Sequence, residues 1–465
     1  MGMTVDWDNP MANCNRNHTP YTILKDGWLS IDPERKSQVD YCRARTYEYI
    51  NPEKSRPRSW FNLVEKMQID QDIVKTECYS KDGKIVDQWL HTQIYEGNPS
   101  TVEVDKSLGN GTNFRPDIVM IVLDSVSSTQ ARRSLPRTLS YLETQMGGMH
   151  FHHLNKVGEN TSPNAYAMLL GWRIYSANRK AVNAKDLRPD HDKICSGWRD
   201  KDPVIFREYE KIGIPKFLLH WSCEASHDLP NPLYHTDQDY LNFFQKNKPI
   251  LDNAFLFVMG DHGPRFGTPS KAELNKREIN NPLLHISLPK FLRNHTQLIK
   301  NLQENSIRLL TQFDVHATLV DLLKFAPESN FTDFSEFDVM EGNENNGTSI
   351  FRPFPEKFQK RTCQTIPVNA AYCLCEYKKE NIDDAMLIEK LSKVALEKLN
   401  GYLRENGVSG SCETLTLDKI KSVKSFIPVE KTNLYEIHFI VKESKGEFRV
   451  LLKKDSNGVF HREGF

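Results

Sequence analysis

The sequence predicts an α/β fold: a mostly parallel sheet flanked by helices, followed by a small C-terminal α+β domain. Three observations predict it. Residues 254–260 (Ala-Phe-Leu-Phe-Val-Met-Gly) form an apolar run of aromatic and β-branched type, suited to a buried strand, and the run stops abruptly at Asp261, His262 and Gly263. Residues 117–124 repeat the design, an apolar run ending in Asp124 and Ser125. Between residues 114 and 326, strand-like and helix-like segments alternate, which is the pattern of a parallel sheet covered by helices.

The elements follow in order. Strand 117–124 precedes a helix near 136–146. Strand-like Phe151–Val157 precedes a helix near 162–170, and a helix near 203–212 precedes a strand over Lys216–His220. The run 254–260 and a helix near 313–324 complete the core. Residues 1–113 read as an accessory region broken by Asn51-Pro52 and Arg56-Pro57-Arg58, with a strand at Ile73–Cys78. Residues 327–362 read as a linker. Residues 363–465 read as a small α+β domain, with a helix near 382–403 carrying the stripe Leu387, Leu391, Val394 and Leu399. Strand periodicity then appears at Tyr435, Ile437, Phe439 and Val441, and again at Phe448, Val450 and Leu452.

Bulk properties narrow the function classes. A chain of 465 residues implies two or three domains. Lys+Arg and Asp+Glu are both 61, so no basic field points to nucleic acid. Mean hydropathy is -0.57, and the apolar runs are far shorter than the roughly 20 residues of a membrane span. The N-terminus shows no apolar signal-peptide core, and Asp6 breaks the myristoylation pattern. Against this stand Asn-x-Ser/Thr sequons at Asn17, Asn110, Asn160, Asn294, Asn330 and Asn346, and nine cysteines. Together they point to an extracellular or luminal glycoprotein with disulfides. Cys42 and Cys78 are one candidate pair. Cys363, Cys373 and Cys375 surround a short loop; their spacing suits disulfides better than zinc.

Two buried strands that each deliver an acid at the carboxyl end, Asp124 and Asp261 (the latter beside His262), suggest a shared metal site. A third piece is Gly158-Glu-Asn-Thr161-Ser162-Pro163, which leads into a helix with proline in its first turn. Thr161 and Ser162 sit at that helix start, where backbone N–H groups favour anions. The plainer alternative is that Thr161 only caps the helix. His316 reads as a core histidine. His150, His152 and His153 stand at strand spacing and face different sides.

The order of these pieces resembles the alkaline phosphatase/sulfatase superfamily. More closely, the chain is similar to an uncharacterised sulfatase-like extracellular family expanded in nematodes, the domain of unknown function 229. The stretches that carry the resemblance are Val122-Leu-Asp124-Ser125, Leu135-Pro-Arg-Thr138, residues 158–164, Ser226-His227-Asp228 with Asn231, Asp261-His-Gly-Pro-Arg265 and residues 313–319. The resemblance implies that Asp124, Asp261 and His262 bind a divalent cation (Zn, Mn, Mg or Ca) beside Thr161 as nucleophile. It places a second metal or a substrate clamp at His227 and Asp228, and an oxyanion contact at Arg265. The implied substrate is an anionic ester: a phosphodiester, glycan or lipid headgroup.

The chain also departs from the family pattern. Sulfatases convert a Cys or Ser to formylglycine, followed two residues after a proline by Arg. Here Thr161 cannot give that aldehyde, and Ala165 takes the arginine position. The common Asp-Asp pair is Asp124-Ser125, and the segment near 172–222 is shortened. Two function classes follow: a metal-dependent hydrolase or transferase acting on phosphate, less so sulfate, esters; or a catalytically inactive extracellular module that binds an anionic glycan or lipid group.

Overall fold

The computed structural model describes residues 18–51, 54–95, 115–182, 184–190, 202–211, 217–228, 232–265, 275–340, 347–374, 379–408, 410, 413–426, 434–455 and 457–462. Outside them lie Cys14, Cys195, Cys375 and Cys412, the sequons at Asn17, Asn110 and Asn346, Asn231, and much of the shortened stretch after residue 190. The chain forms two compact units, Asn9–Glu103 and Val104–Phe465.

In the smaller unit, strand Tyr41–Asn51 lies between strands Lys54–Pro57 and Ile73–Tyr79, with Ile85–Thr92 beyond. Cys42 sits directly opposite Cys78 across the ladder and is joined to it by a disulfide. Both sulfurs are buried with Leu29, Ala44 and Val74.

The larger unit is built on a five-stranded sheet, in the order Gly148–His150, Leu284–Ser287, Ala254–Met259, Asp117–Leu123 and Phe217–Ser222. The last three strands run parallel, and the first two add antiparallel pairings. The expected α/β architecture is therefore present with a mixed sheet. The antiparallel strands escape a sequence reading because they are only three and four residues long.

Strand 117–123 is buried on both faces, which is why its sequence is continuously apolar. Ile118, Met120 and Val122 join a core with Met168, Tyr209, Leu298, Leu302, Val315 and Leu319, contributed by one layer of helices. Val119, Ile121 and Leu123 face the opposite layer, through Ala131, Leu139, Leu142 and Phe244. The expected strand over 151–157 shrinks to Leu154–Asn155, which pairs in parallel with Leu310–Thr311. A disulfide joins Cys363 to Cys373. Toward the C-terminus, helix Ala385–Glu405 packs Leu391, Ala395 and Leu399 on a five-stranded antiparallel sheet that presents Ile437, Phe439, Val441, Val450 and Leu452.

Three core histidines make the fold acid-sensitive. Burial holds His285 and His150 down to about 3 and His316 to about 4. An unfolded chain leaves them near 6.5. The unfolded state therefore takes up protons first, and the stability present above pH 6.5 is lost as pH falls. By pH 5 each histidine subtracts about 2 kcal/mol. Urea unfolding followed from pH 7.5 to 5 is expected to show this loss; a flat profile would refute it.

Candidate metal centre and active site

Two neighbouring parallel strands end at one edge of the sheet, and both end in acids. Strand 117–123 runs out at Asp124, whose N–H donates to Ser222 O at 2.9 Å. The chain then turns tightly: Val126 N–H returns to Leu123 O at 3.3 Å, and Ser125 adopts a left-handed conformation with φ 61°. Strand 254–259 runs out through Gly260 to Asp261 and His262. A Cβ on Gly260 would stand 2.1 Å from Val126 O, so only glycine lets this turn pack against the strand end. A Cβ on Gly263 would stand 1.8 Å from Glu278 O.

These backbones bring Asp124, Asp261 and His262 together. One ligand atom of each lies within 4.8 Å of the other two, all three residues are buried, and among the described residues no other such group of three occurs. His262 Nε2 is 3.4 Å from Asp261 Oδ2 and 3.9 Å from Asp124 Oδ1. His262 Nδ1 is 2.7 Å from Gly263 O. That carbonyl can only accept, so Nδ1 donates to it, and Nε2 is left facing the two acids. Asp261 Oδ1 accepts from Ser125 N–H at 3.0 Å and His262 N–H at 2.8 Å. Asp261 Oδ2 and His262 Nε2 are buried without any hydrogen-bond partner.

Buried polar atoms without a hydrogen bond are costly and rare. Here two face each other, and both are of atom types that can bind a metal. Burial pushes the Asp261 carboxyl above the usual range; His262 opposes this, and the Asp124 charge adds to it. A divalent cation removes all these penalties at once, so the donor set fits one.

Thr161 is the first residue of helix Thr161–Leu170, and the capping position belongs to Asn160. The hydroxyl of Thr161 donates to Asp124 Oδ2 at 3.4 Å. Thr161 is half-buried, whereas Ser162 is exposed. The sequence reading passed over Asn164, which is fully buried and fixes the loop before the helix. Its Oδ1 accepts from Val157 N–H at 2.8 Å, and its Nδ2 donates to Gly158 O at 3.0 Å and Asn160 O at 2.8 Å. An asparagine in a first helical turn is the kind of residue that bonds local backbone, so the signal was there. The exposed Cys223, which is the free cysteine among the described residues, was also passed over; its thiol donates to Asp124 Oδ2 at 3.6 Å.

In the loop 226–228 the Ser226 hydroxyl donates to Asp124 O at 2.6 Å, while His227 and Asp228 are not in the group formed by Asp124, Asp261 and His262. His227 Nε2 is 3.1 Å from an Arg265 nitrogen, and arginine only donates, so Nε2 accepts. His227 Nδ1 therefore carries the proton and donates to Asp228 Oδ1 at 2.7 Å. The three residues form a chain, Asp228–His227–Arg265, that holds the guanidinium of Arg265. His316 is a buried core residue whose Nδ1 donates to Met168 O at 3.1 Å.

The family model described as "Protein of unknown function (DUF229)" matches residues 31–214 and 212–421. No curated protein matches the chain. Similar solved structures include the C-terminal periplasmic domain of EcEptC from Escherichia coli in complex with Zn, with 11% identity and a TM-score of 0.33 over 54% of this chain and 89% of that one. A protein in the alkaline phosphatase superfamily from Vibrio parahaemolyticus shows 10% identity and a TM-score of 0.28, covering 76% of this chain and 82% of that one. The soluble domain of lipooligosaccharide phosphoethanolamine transferase A from Neisseria meningitidis shows 10% identity and a TM-score of 0.29, covering 46% and 89%.

Proposed function

The chain belongs to the DUF229 family, and from that premise we propose that it is a metal-dependent hydrolase or transferase of phosphate esters with a threonine nucleophile. One observation carries the reading. Asp261 Oδ2 and His262 Nε2 are buried without a hydrogen-bond partner and cluster with Asp124, which also accepts the hydroxyl of Thr161.

Asp124, Asp261 and His262 would hold the cation, and a mixed oxygen and nitrogen set suits zinc or manganese better than calcium. When bound, such an ion lowers the pKa of a neighbouring hydroxyl and neutralises ester oxygens. The residues of the chain do the rest. Thr161 Oγ1 attacks phosphorus as its proton leaves along its hydrogen bond to Asp124 and is taken up by the departing oxygen, the bond to the leaving group breaks, and a phosphothreonine ester forms. Water or an acceptor alcohol then attacks that ester and returns the hydroxyl. N–H groups at the start of helix 161–170 favour the anionic group. Arg265, held by His227, supplies planar donors to a remaining oxygen. Threonine cannot form the sulfatase aldehyde, which favours phosphate over sulfate.

The substrate class is an anionic ester such as a phosphodiester, glycan or lipid headgroup. Two disulfides and exposed sequons at Asn294 and Asn330 support an extracellular or luminal location. Among the described residues, no helix is long and apolar enough to cross a membrane.

Elemental analysis of the purified chain, alongside turnover of a generic aryl phosphodiester, tests the proposal. Stoichiometric metal is expected, with turnover lost on chelation and restored by metal. Folded protein with neither metal nor turnover would sink it and leave the inactive anion-binding module.

A further inference from the structure

Ser125 directly follows Asp124 and is fully buried. It is the second central residue of the turn Leu123–Val126, with φ 61°. Such a position favours glycine or asparagine, because a Cβ is strained there. Serine gives up that ease and gains a hydroxyl. The hydroxyl donates to Asp124 Oδ1 at 3.0 Å, and the backbone N–H of the same residue donates to Asp261 Oδ1 at 3.0 Å. One strained residue thus ties together both acids of the centre. Strain of this kind persists where surrounding structure enforces it, and functional sites are where it gathers.

We propose that Ser125 is the positioning residue of the metal centre. Its N–H fixes Asp261 so that Oδ2 stays bare toward His262 Nε2. Its hydroxyl fixes Asp124 between His262 Nε2 and Thr161 Oγ1. The serine contributes orientation and no charge of its own. This rests on the reading that Asp124, Asp261 and His262 hold a cation.

The test is the affinity of the full chain for zinc, measured by competition with a chromophoric chelator, together with the melting temperature of the metal-free protein. Ser125→Ala removes the hydroxyl. Ser125→Gly removes the hydroxyl and also relieves the left-handed strain, so it folds where the alanine variant fails. Both are expected to weaken zinc binding by about 10-fold or more, the usual cost of losing a partner behind a metal ligand. The glycine variant is expected to melt no lower than the parent without metal. If the parent binds zinc and both variants bind it equally well, the inference is overturned. A lower melting temperature with unchanged affinity also overturns it, since Ser125 would then be merely structural. A parent chain that takes up no zinc overturns the metal reading itself, and this inference with it.

Discussion

Replacing Thr161 by alanine is expected to lower turnover of an aryl phosphodiester by at least about a thousandfold while leaving the metal in place. The reasoning is local. Thr161 is the first residue of its helix and not its cap, so losing the hydroxyl removes no capping bond. Its one contact in the centre is the 3.4 Å bond to Asp124 Oδ2, and Asp124 Oδ1 remains held by Ser125. The loop before the helix is fixed by Asn164, which the substitution does not touch. Thr161→Ser keeps a hydroxyl on the same backbone and is expected to retain turnover within about tenfold. Trapping a phosphorylated residue in the parent and the serine variant, and none in the alanine variant, is the decisive readout. An alanine variant with full turnover would place the attacking oxygen elsewhere.

Replacing Asp261 by asparagine is expected to weaken metal binding by more than about a hundredfold, since even residues behind a ligand cost about 10–100-fold when lost. The same substitution is expected to stabilise the metal-free protein by about 1 kcal/mol or more. The amide oxygen can still accept from Ser125 and His262 N–H. The amide nitrogen then stands where Oδ2 was, 3.4 Å from His262 Nε2, and donates to it. Two buried atoms that lack a hydrogen bond then share one, and one buried negative charge disappears. Stability traded for function in this way marks a site built for a ligand. Metal content by elemental analysis and urea unfolding of the metal-free proteins check the two halves. An asparagine variant that keeps the metal, or that is less stable without it, would contradict the account.

Some of this was legible residue by residue. The buried strands at 117–123 and 254–259 were legible because a strand covered on both faces must be apolar throughout, and an acid after such a run has few places to go but a strand end. The helix from Thr161 was legible from Pro163. Alternation at Ile437, Phe439 and Val441 gave the inner face of the C-terminal sheet. The short strands 148–150 and 284–287 were not legible. They carry His150 and His285 at inward positions, and only the helices packed over them make burial of an imidazole possible. The loop 226–228 invited a role as second metal site or substrate clamp because histidine and aspartate are common ligands; the contact of His227 with Arg265 was not legible in the chain.

The sequence by itself determined the fold class, the two strand-borne acids and the helix start that carries a threonine, because hydrophobic periodicity and helix-start chemistry are local. The sequence also led to the expectation of a shared site at Asp124, Asp261 and His262; tertiary structure alone decided that His262 Nε2 and Asp261 Oδ2 are buried without hydrogen bonds and that Ser125 reaches both acids. Those outcomes depend on the register of two strands more than a hundred residues apart and on a turn that approaches the chain only where Gly260 lacks a side chain. Distances across such a junction are set by packing, and no local pattern in the chain encodes them.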